Sequence, residues 1–271
     1  DLLKSKFSFS VTQDRRAMKA VLVIVPFPMS EENLAQRRAQ MDAVDLSDEL
    51  RFTFRSTKAA PRNYVSKADM VLADVGILEV GQSAQDRGFH AVCIDTMSDS
   101  GVAALRSVLD IPVIGPGRAS MLTAMLLGSR FSVVTMWKHW FHLYEKTIGD
   151  LGIQSHVASI RSVDVAPDNQ SLLAGKEENI FPLLLAEAEA AIAEDGADVI
   201  LLGSTTMHQA HHFLSEHLDV PVINPGPLTY KLVEAMLGLG LSHSRAAYPV
   251  SPVPRTEMIA AMMAAAGNFD H

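Results

Sequence analysis

The stretch GFHAVCIDTMSDSG, residues 88–101, contains the only cysteine of the chain, Cys93, at the point where an apolar run gives way to a polar, glycine-ended loop. A thiol held near helix N-terminal amides has a lowered pKa, and its thiolate can remove a proton or attack carbon. A small hydrophobe buried at a strand end is the other reading of an unpaired cysteine. A second loop, GSTT at residues 203–206, follows another apolar run and offers Ser204, Thr205 and Thr206. With Thr96 beside the cysteine, these hydroxyls and nearby backbone N–H groups can hold a carboxylate or imide oxygen and stabilise an enolate, and Asp95 in the same loop is a further candidate ligand contact. Thr96 and Thr205 are equally suited to capping the helices that follow them.

Two further groups have chemical potential. The segment VVTMWKHWFHLYEK holds both tryptophans; Trp137 or Trp140 can line a cleft and favour a flat substrate, although helical spacing suits core packing as well. His208, His211 and His212 in HQAHH share one helix face at a spacing compatible with metal binding. No companion carboxylate or cysteine cluster accompanies them, so a solvated helix end is expected and no metal is assigned.

The elements that must position these residues are legible from periodicity. AVLVIVPF reads as a buried parallel strand, followed by a helix over 30–44 with Ser30 as its N-cap and Asn33 at the third helical position. RFTF is a short strand, residues 63–88 have helical spacing, and HAVCID is another strand. The second half repeats the theme: strand RFSVVTMW, a helix ended by Gly152, strand SHVASIRSVDV, a long helix over 177–196 stopped at Gly196, then ADVILLGSTTM. From Leu109 and from Leu218 the two halves share the frame LD-[IV]-PVI-[GN]-PG, each followed by a helix. This internal duplication predicts an α/β protein of two pseudo-symmetric lobes, each a parallel sheet flanked by helices. Ligands of open α/β sheets bind beyond the carboxyl ends of the strands, so CIDT and GSTT should border one cleft between the lobes. The expected division is an N-terminal extension at 1–17, with Met18 as a possible native start, a first lobe of 18–130 and 225–271, and a second lobe of 131–224.

Composition narrows the function classes. With 271 residues and 48% hydrophobic content the chain can bury a large core. A balance of 23 basic to 31 acidic residues and no basic stripe argue against nucleic-acid binding. Apolar runs far shorter than the roughly 20 residues of a membrane helix argue against a membrane partner. A single cysteine cannot form an internal disulfide, and with no secretory signal a reducing cytoplasm is expected.

The segments AVCIDT, SGVAALRSVLDIPVIGPGRASMLTAMLLGSRFSVVT, VASIRSVDV and DGADVILLGSTTM, with LDVPVINPG after it, together resemble the aspartate/glutamate/hydantoin racemase superfamily, and within it the hydantoin racemase branch. The resemblance covers nearly all of residues 20–250. It implies a metal-independent, cofactor-independent enzyme acting on a small molecule, and a homo-oligomer. It also implies two cysteines, one per lobe: one thiolate removes the proton at the substrate's α-carbon and the other thiol returns one from the far side, because inversion requires donation opposite to removal. On this alignment Cys93 takes the first-lobe position and Ser204 stands where the family has a cysteine after glycine. The same resemblance favours Thr135 as a polar contact and places PFPMS where hydantoin racemases have an Asn-Pro-Asn type loop. A hydroxyl holds essentially no alkoxide at neutral pH, so Ser204 departs from the pattern. It fits a natural one-cysteine enzyme, an engineered replacement, or a substrate needing little help. The expected activity is racemisation or epimerisation of a hydantoin or amino acid type compound. The alternatives are a single-cysteine decarboxylase or isomerase similar to arylmalonate decarboxylases, whose cysteine lies in the other lobe, and a non-catalytic small-molecule binder.

Overall fold

A computed structural model describes residues 18–167 and 179–269. The N-terminal extension and the first two residues of the helix expected at 177–196 lie outside them. The first half runs β1 (Lys19–Val25), α1 (Glu31–Arg38) continued by a 3-10 turn (Ala39–Ala43), β2 (Leu50–Ser56), α2 (Lys67–Gly81), β3 (Ala91–Ile94), α3 (Val102–Arg106), β4 (Val113–Ile114) and α4 (Pro116–Leu127). The second half runs β5 (Phe131–Thr135), α5 (Phe141–Leu151), β6 (Val157–Ser162), α6 (Phe181–Ala193), β7 (Val199–Leu202), a 3-10 turn (Thr205–Gln209), α7 (Ala210–His217), β8 (Val222–Ile223), α8 (Pro225–Leu239) and α9 (Thr256–Ala266). The strands form two four-stranded sheets, ordered β2-β1-β3-β4 and β6-β5-β7-β8, with every pairing parallel. The identical order in both sheets is the structural form of the sequence duplication.

Alternation along β1 and β3 explains how each sheet is covered. Leu22, Ile24, Val92 and Ile94 pack with Ile77 of α2 and Leu105 of α3 on one face. Val21, Val23, Ala91 and Cys93 pack with Leu34 of α1 and with Tyr230 and Val233 of α8 on the other. Each such side chain, removed from water, contributes about 1.5–3 kcal/mol. The two Pro-Gly helices cross between the lobes. Met121 and Ala124 of α4 are buried with Phe131, Val133 and Tyr144, so α4 lies on the second sheet, although the division expected from the sequence groups it with the first. Helix α8 lies on the first sheet, and α9 packs against α2.

Local chemistry sets the element ends. Ser30 caps α1 by accepting from the Asn33 N–H at 3.2 Å. Helix α2 starts at Lys67 rather than at 63 because Ser66 and Asp69 form a reciprocal capping box. Helix α5 stops at Gly152, whose φ of 68° is the left-handed conformation that glycine adopts without strain. No helix among the described residues is long and apolar enough to cross a membrane.

Asp99, in the loop after β3, accepts hydrogen bonds from Gly117 N at 2.8 Å and Arg118 N at 2.7 Å, and so ties that loop to the start of α4. Burial pushes its carboxyl up to about 6. A raised folded-state pKa means that the unfolded chain binds fewer protons between about pH 4 and 6. The stability that Asp99 contributes is therefore complete below about pH 4 and is lost as pH rises through 6, by at most about 3 kcal/mol. Chemical denaturation across pH 4–7 should give a shallower decline for Asp99→Asn than for the unaltered protein; equal slopes would contradict this assignment.

Candidate active site

The strand-end loops of the two sheets meet at a cavity of about 60 Å³. Its polar lining is Asn63 before α2, Asp95 and Thr96 after β3, and Gly203, Ser204, Thr205 and Thr206 after β7. Phe27, Tyr64, Met97, Trp140, Leu143 and Tyr144 form most of the apolar wall. Thr96 and Ser204 occupy equivalent places, each two residues beyond the end of its strand. The duplicated fold thus brings one hydroxyl from each lobe to the cavity.

Each hydroxyl is backed by others. Thr96 Oγ1 lies 3.2 Å from Ser98 Oγ, which lies 2.9 Å from Ser100 Oγ. Ser204 Oγ lies 2.7 Å from Thr206 Oγ1 and accepts from the Thr206 N–H at 3.2 Å, capping the turn that follows. Gly203 is required by close approach: a Cβ there would sit 2.5 Å from Thr135 Cβ and 2.7 Å from the Tyr144 hydroxyl. That hydroxyl donates to the Gly203 carbonyl at 2.6 Å and pairs with Thr135 Oγ1 at 2.8 Å. Thr135 therefore stands behind the loop and reaches the cavity only through Tyr144.

Cys93 is not at the cavity. It lies inside β3 with 0% exposure, among the apolar side chains beneath α8. Burial first, and the nearby Asp95 charge second, push its thiol well above the usual thiol range. The expectation that Cys93 borders the cleft is corrected on this ground: strand alternation turns its side chain into the sheet packing, and the first-lobe counterpart of Ser204 is Thr96, three residues further on. Of the tryptophans, Trp140 lines the cavity, and Trp137 packs edge-on against it at 6.3 Å.

The three histidines of HQAHH do not converge. His211 Nε2 donates to the Val222 carbonyl at 3.1 Å, and His212 reaches Glu216 at the surface. The buried Nδ1 of His208 has no hydrogen-bond partner. Burial, reinforced by the Arg37 charge, pushes the His208 imidazole down to about 4, so it is neutral at pH 7.

Asp95 is the charged group of the cavity lining, and Arg37 of α1 holds it from the far side. Arg37 Nε and Nη2 donate to Asp95 Oδ2 at 2.9 and 2.6 Å, and Nη2 also donates to Thr205 Oγ1 at 2.9 Å. Removing one partner of such a buried pair costs about 3–5 kcal/mol. Sequence reasoning missed Arg37, which lies in a short helix of polar composition, and missed Tyr64; Phe27 belongs to the PFPMS loop singled out in the sequence, and its ring stacks on that of Tyr64 at 5.2 Å over the apolar side of the cavity.

Comparison with known proteins places the chain. Residues 28–233 match the family model described as Asp/Glu/Hydantoin racemase. The hydantoin racemase of Rhizobium meliloti is 33% identical over 194 residues, which cover 70% of this chain and 78% of that protein. The solved allantoin racemase from Klebsiella pneumoniae is 25% identical with a TM-score of 0.77, over 87% of this chain and 95% of that one. A solved arylmalonate decarboxylase, 20% identical with a TM-score of 0.54 over 85% of this chain and 96% of its own, shares the fold alone. The chain belongs to the Asp/Glu/hydantoin racemase family, and its relatives support an isomerase of the racemase class.

Because Cys93 is sealed in the sheet, a thiol-reactive dye should label the native protein far more slowly than the unfolded chain. Cys93→Ser should lower stability by about 1–3 kcal/mol, since it buries a hydroxyl among apolar side chains. Labelling of the native protein at the unfolded rate would contradict the placement. For His208, a depressed folded-state pKa makes its contribution complete above about pH 6.5 and lost as pH falls through 4. His208→Gln should therefore be less acid-sensitive in that window, measured by denaturation at pH 4 and pH 7.

Proposed function

We propose that this protein is an isomerase for a small, uncharged, cyclic α-carbonyl compound of the hydantoin class, and that it moves the proton on the carbon beside the carbonyl between hydroxyl-bearing walls rather than between thiols. The observation that carries this reading is the equivalent placement of Thr96 and Ser204, one from each lobe, at a single cavity.

The lining argues for a neutral ligand. Among the described residues no lysine, arginine or histidine lines the cavity, so the carboxylate of an amino acid would meet no cation there. The Asp95 charge is balanced by Arg37, and its Oδ1 has only a long contact, 3.4 Å from Gln40 Nε2. That oxygen suits the ring N–H of a ureide. The Thr205 hydroxyl is committed to the Asp95 carbonyl, so the Thr206 hydroxyl is the one that suits a carbonyl oxygen of the ring, and that hydrogen bond strengthens as charge builds on oxygen in the enolate.

Hydroxyls change the energetics of the proton step. An aliphatic hydroxyl is about as weak an acid as water, far weaker than a thiol. Forming the alkoxide therefore costs about 10 kcal/mol more than forming a thiolate. Neither Thr96 nor Ser204 can serve as a standing base. Each acts as a relay: solvent hydroxide takes up the ring-carbon proton through one hydroxyl and becomes water, a water returns a proton through the other hydroxyl and regenerates hydroxide, and turnover is slow by the standard of a thiol site. The absence of a thiol from the cavity lining also favours a second reading, a binder that retains the pocket and has lost the reaction.

The size of the cavity limits the substrate. About 60 Å³ is well below the roughly 150 Å³ of a cavity that admits benzene, so even a small ring requires the lining to give and a bulky substituent requires Phe27 to move.

Proton NMR in deuterium oxide tests the reading over hydantoin, 5-methylhydantoin, allantoin, alanine and glutamate. Exchange at the ring carbon of the neutral ureides, and none with the amino acids, is expected. Thr96→Cys combined with Ser204→Cys should raise the exchange rate by about 100-fold or more, the usual worth of a positioned acid and base. Binding of ureides without exchange in the unaltered protein, with exchange in the double-thiol variant, would identify a binder. A double-thiol variant no faster than the parent would show that the two positions do not flank the reacting carbon. Phe27→Ala should improve the binding of 5-benzylhydantoin relative to hydantoin; an unchanged ratio would remove Phe27 from the size limit.

A further inference from the structure

We infer that Arg37 is a positioning residue which sets both walls of the cleft at once. It is absent from the cavity lining and 3% exposed, yet its guanidinium bonds the residue adjacent to each cavity hydroxyl. On the first lobe it grips Asp95, next to Thr96, through Nε and Nη2 at 2.9 and 2.6 Å. On the second lobe the same Nη2 donates to Thr205 Oγ1, next to Ser204, at 2.9 Å. The Thr205 hydroxyl then donates to the Asp95 backbone carbonyl at 3.3 Å, closing a ring of contacts that crosses between the lobes.

The geometry of the fork gives this link its specificity. A guanidinium presents several N–H donors in one rigid plane, so the direction to Asp95 fixes the direction to Thr205. The two strand-end loops cannot shift independently while both bonds hold. A lysine ammonium would keep the charge opposite Asp95 but would not impose that fixed angle between two acceptors. Gln40, also in the first-lobe segment after α1, reaches Asp95 only at 3.4 and 3.5 Å and makes no side-chain bond to the second lobe, so it is a weak substitute.

Two consequences follow from one group holding both loops. Loosening Arg37 releases the loops together, including the backbone at 95–97 and at 203–206. Binding of a small ring then weakens only modestly, through its contact with Asp95, whereas the proton step suffers more, because it depends on the spacing of Thr96 and Ser204.

The experiment compares the full-length protein with Arg37→Lys and Arg37→Gln, using backbone amide hydrogen exchange and then kinetics on the neutral ureide that turns over fastest. In Arg37→Lys, exchange at 95–97 and 203–206 should rise together by about tenfold or more, with β3 and β7 unchanged. Loosening of one loop alone, of neither, or of the whole molecule uniformly would overturn the inference. The kinetic arm rests on the proposed proton transfer and expects kcat to fall by about 100-fold with KM changed by less than about threefold. A rise in KM at constant kcat would overturn the positioning role. If the unaltered protein exchanges no ureide proton, the functional reading fails, and amide exchange alone still decides whether Arg37 couples the loops. Should Arg37→Gln fail to fold, Arg37→Lys carries the test, since it retains the charge that Asp95 needs.

Discussion

The buried ion pair between Arg37 and Asp95 is the interaction on which the cleft depends. Two charges removed from water cost several kcal/mol each, and they persist only where geometry and additional hydrogen bonds repay that cost. Here the repayment comes from both lobes: Asp95 directly follows β3 of the first sheet, and Thr205 starts the turn after β7, the equivalent strand of the second. The packing around the pair is consistent with a fixed joint. Helix α1 brings Arg37 down beside Leu34 on the first sheet, and α8 crosses back from the second half to cover the same face. The chain thus crosses between lobes twice, at its two Pro-Gly turns, and the polar joint lies between those crossings.

The chemistry of the cavity follows from what that joint holds in place. A pair of hydroxyls in equivalent positions retains the symmetry that an inversion reaction needs, with one group available on each side of a carbon. It does not retain the acidity of a thiol, which is why the proposed reaction uses a relay in place of a direct base. The apolar wall of Phe27, Tyr64, Trp140 and Leu143 lowers the local dielectric, which suits the uncharged ring proposed as the ligand. Polar selection and apolar selection agree on the same class of ligand.

Much of the fold could be read from the sequence, because apolar β-branched runs and the repeated LD-[IV]-PVI-[GN]-PG frame are local signals. The two sheets, their parallel order and the meeting of CIDT with GSTT follow from them. The placement of Ser204, Thr205, Thr206, Asp95 and Thr96 at the cavity was legible on the same basis. Cys93 misled, since the presence of a rare residue type outweighed the register. Setting AVCIDT against VILLGS by their strand ends pairs Ile94 with Leu202, Asp95 with Gly203 and Thr96 with Ser204, and puts the cysteine inside the strand. Thr135 and Trp137 were each close to the site in sequence but act through Tyr144 and Trp140. Arg37 and Tyr64 were not legible, and Phe27 was legible only as part of the PFPMS loop. Their roles come from contacts across 58, 168 and 37 residues of chain, which no local pattern encodes.

A crystal structure of the protein soaked with hydantoin tests the central claim most directly. The account predicts a ring held between Thr96 and Ser204, with a ring N–H on Asp95 and Cys93 still inside the sheet. A ring bound away from those two hydroxyls, or a cleft in which Cys93 has turned to face the ligand, would contradict it.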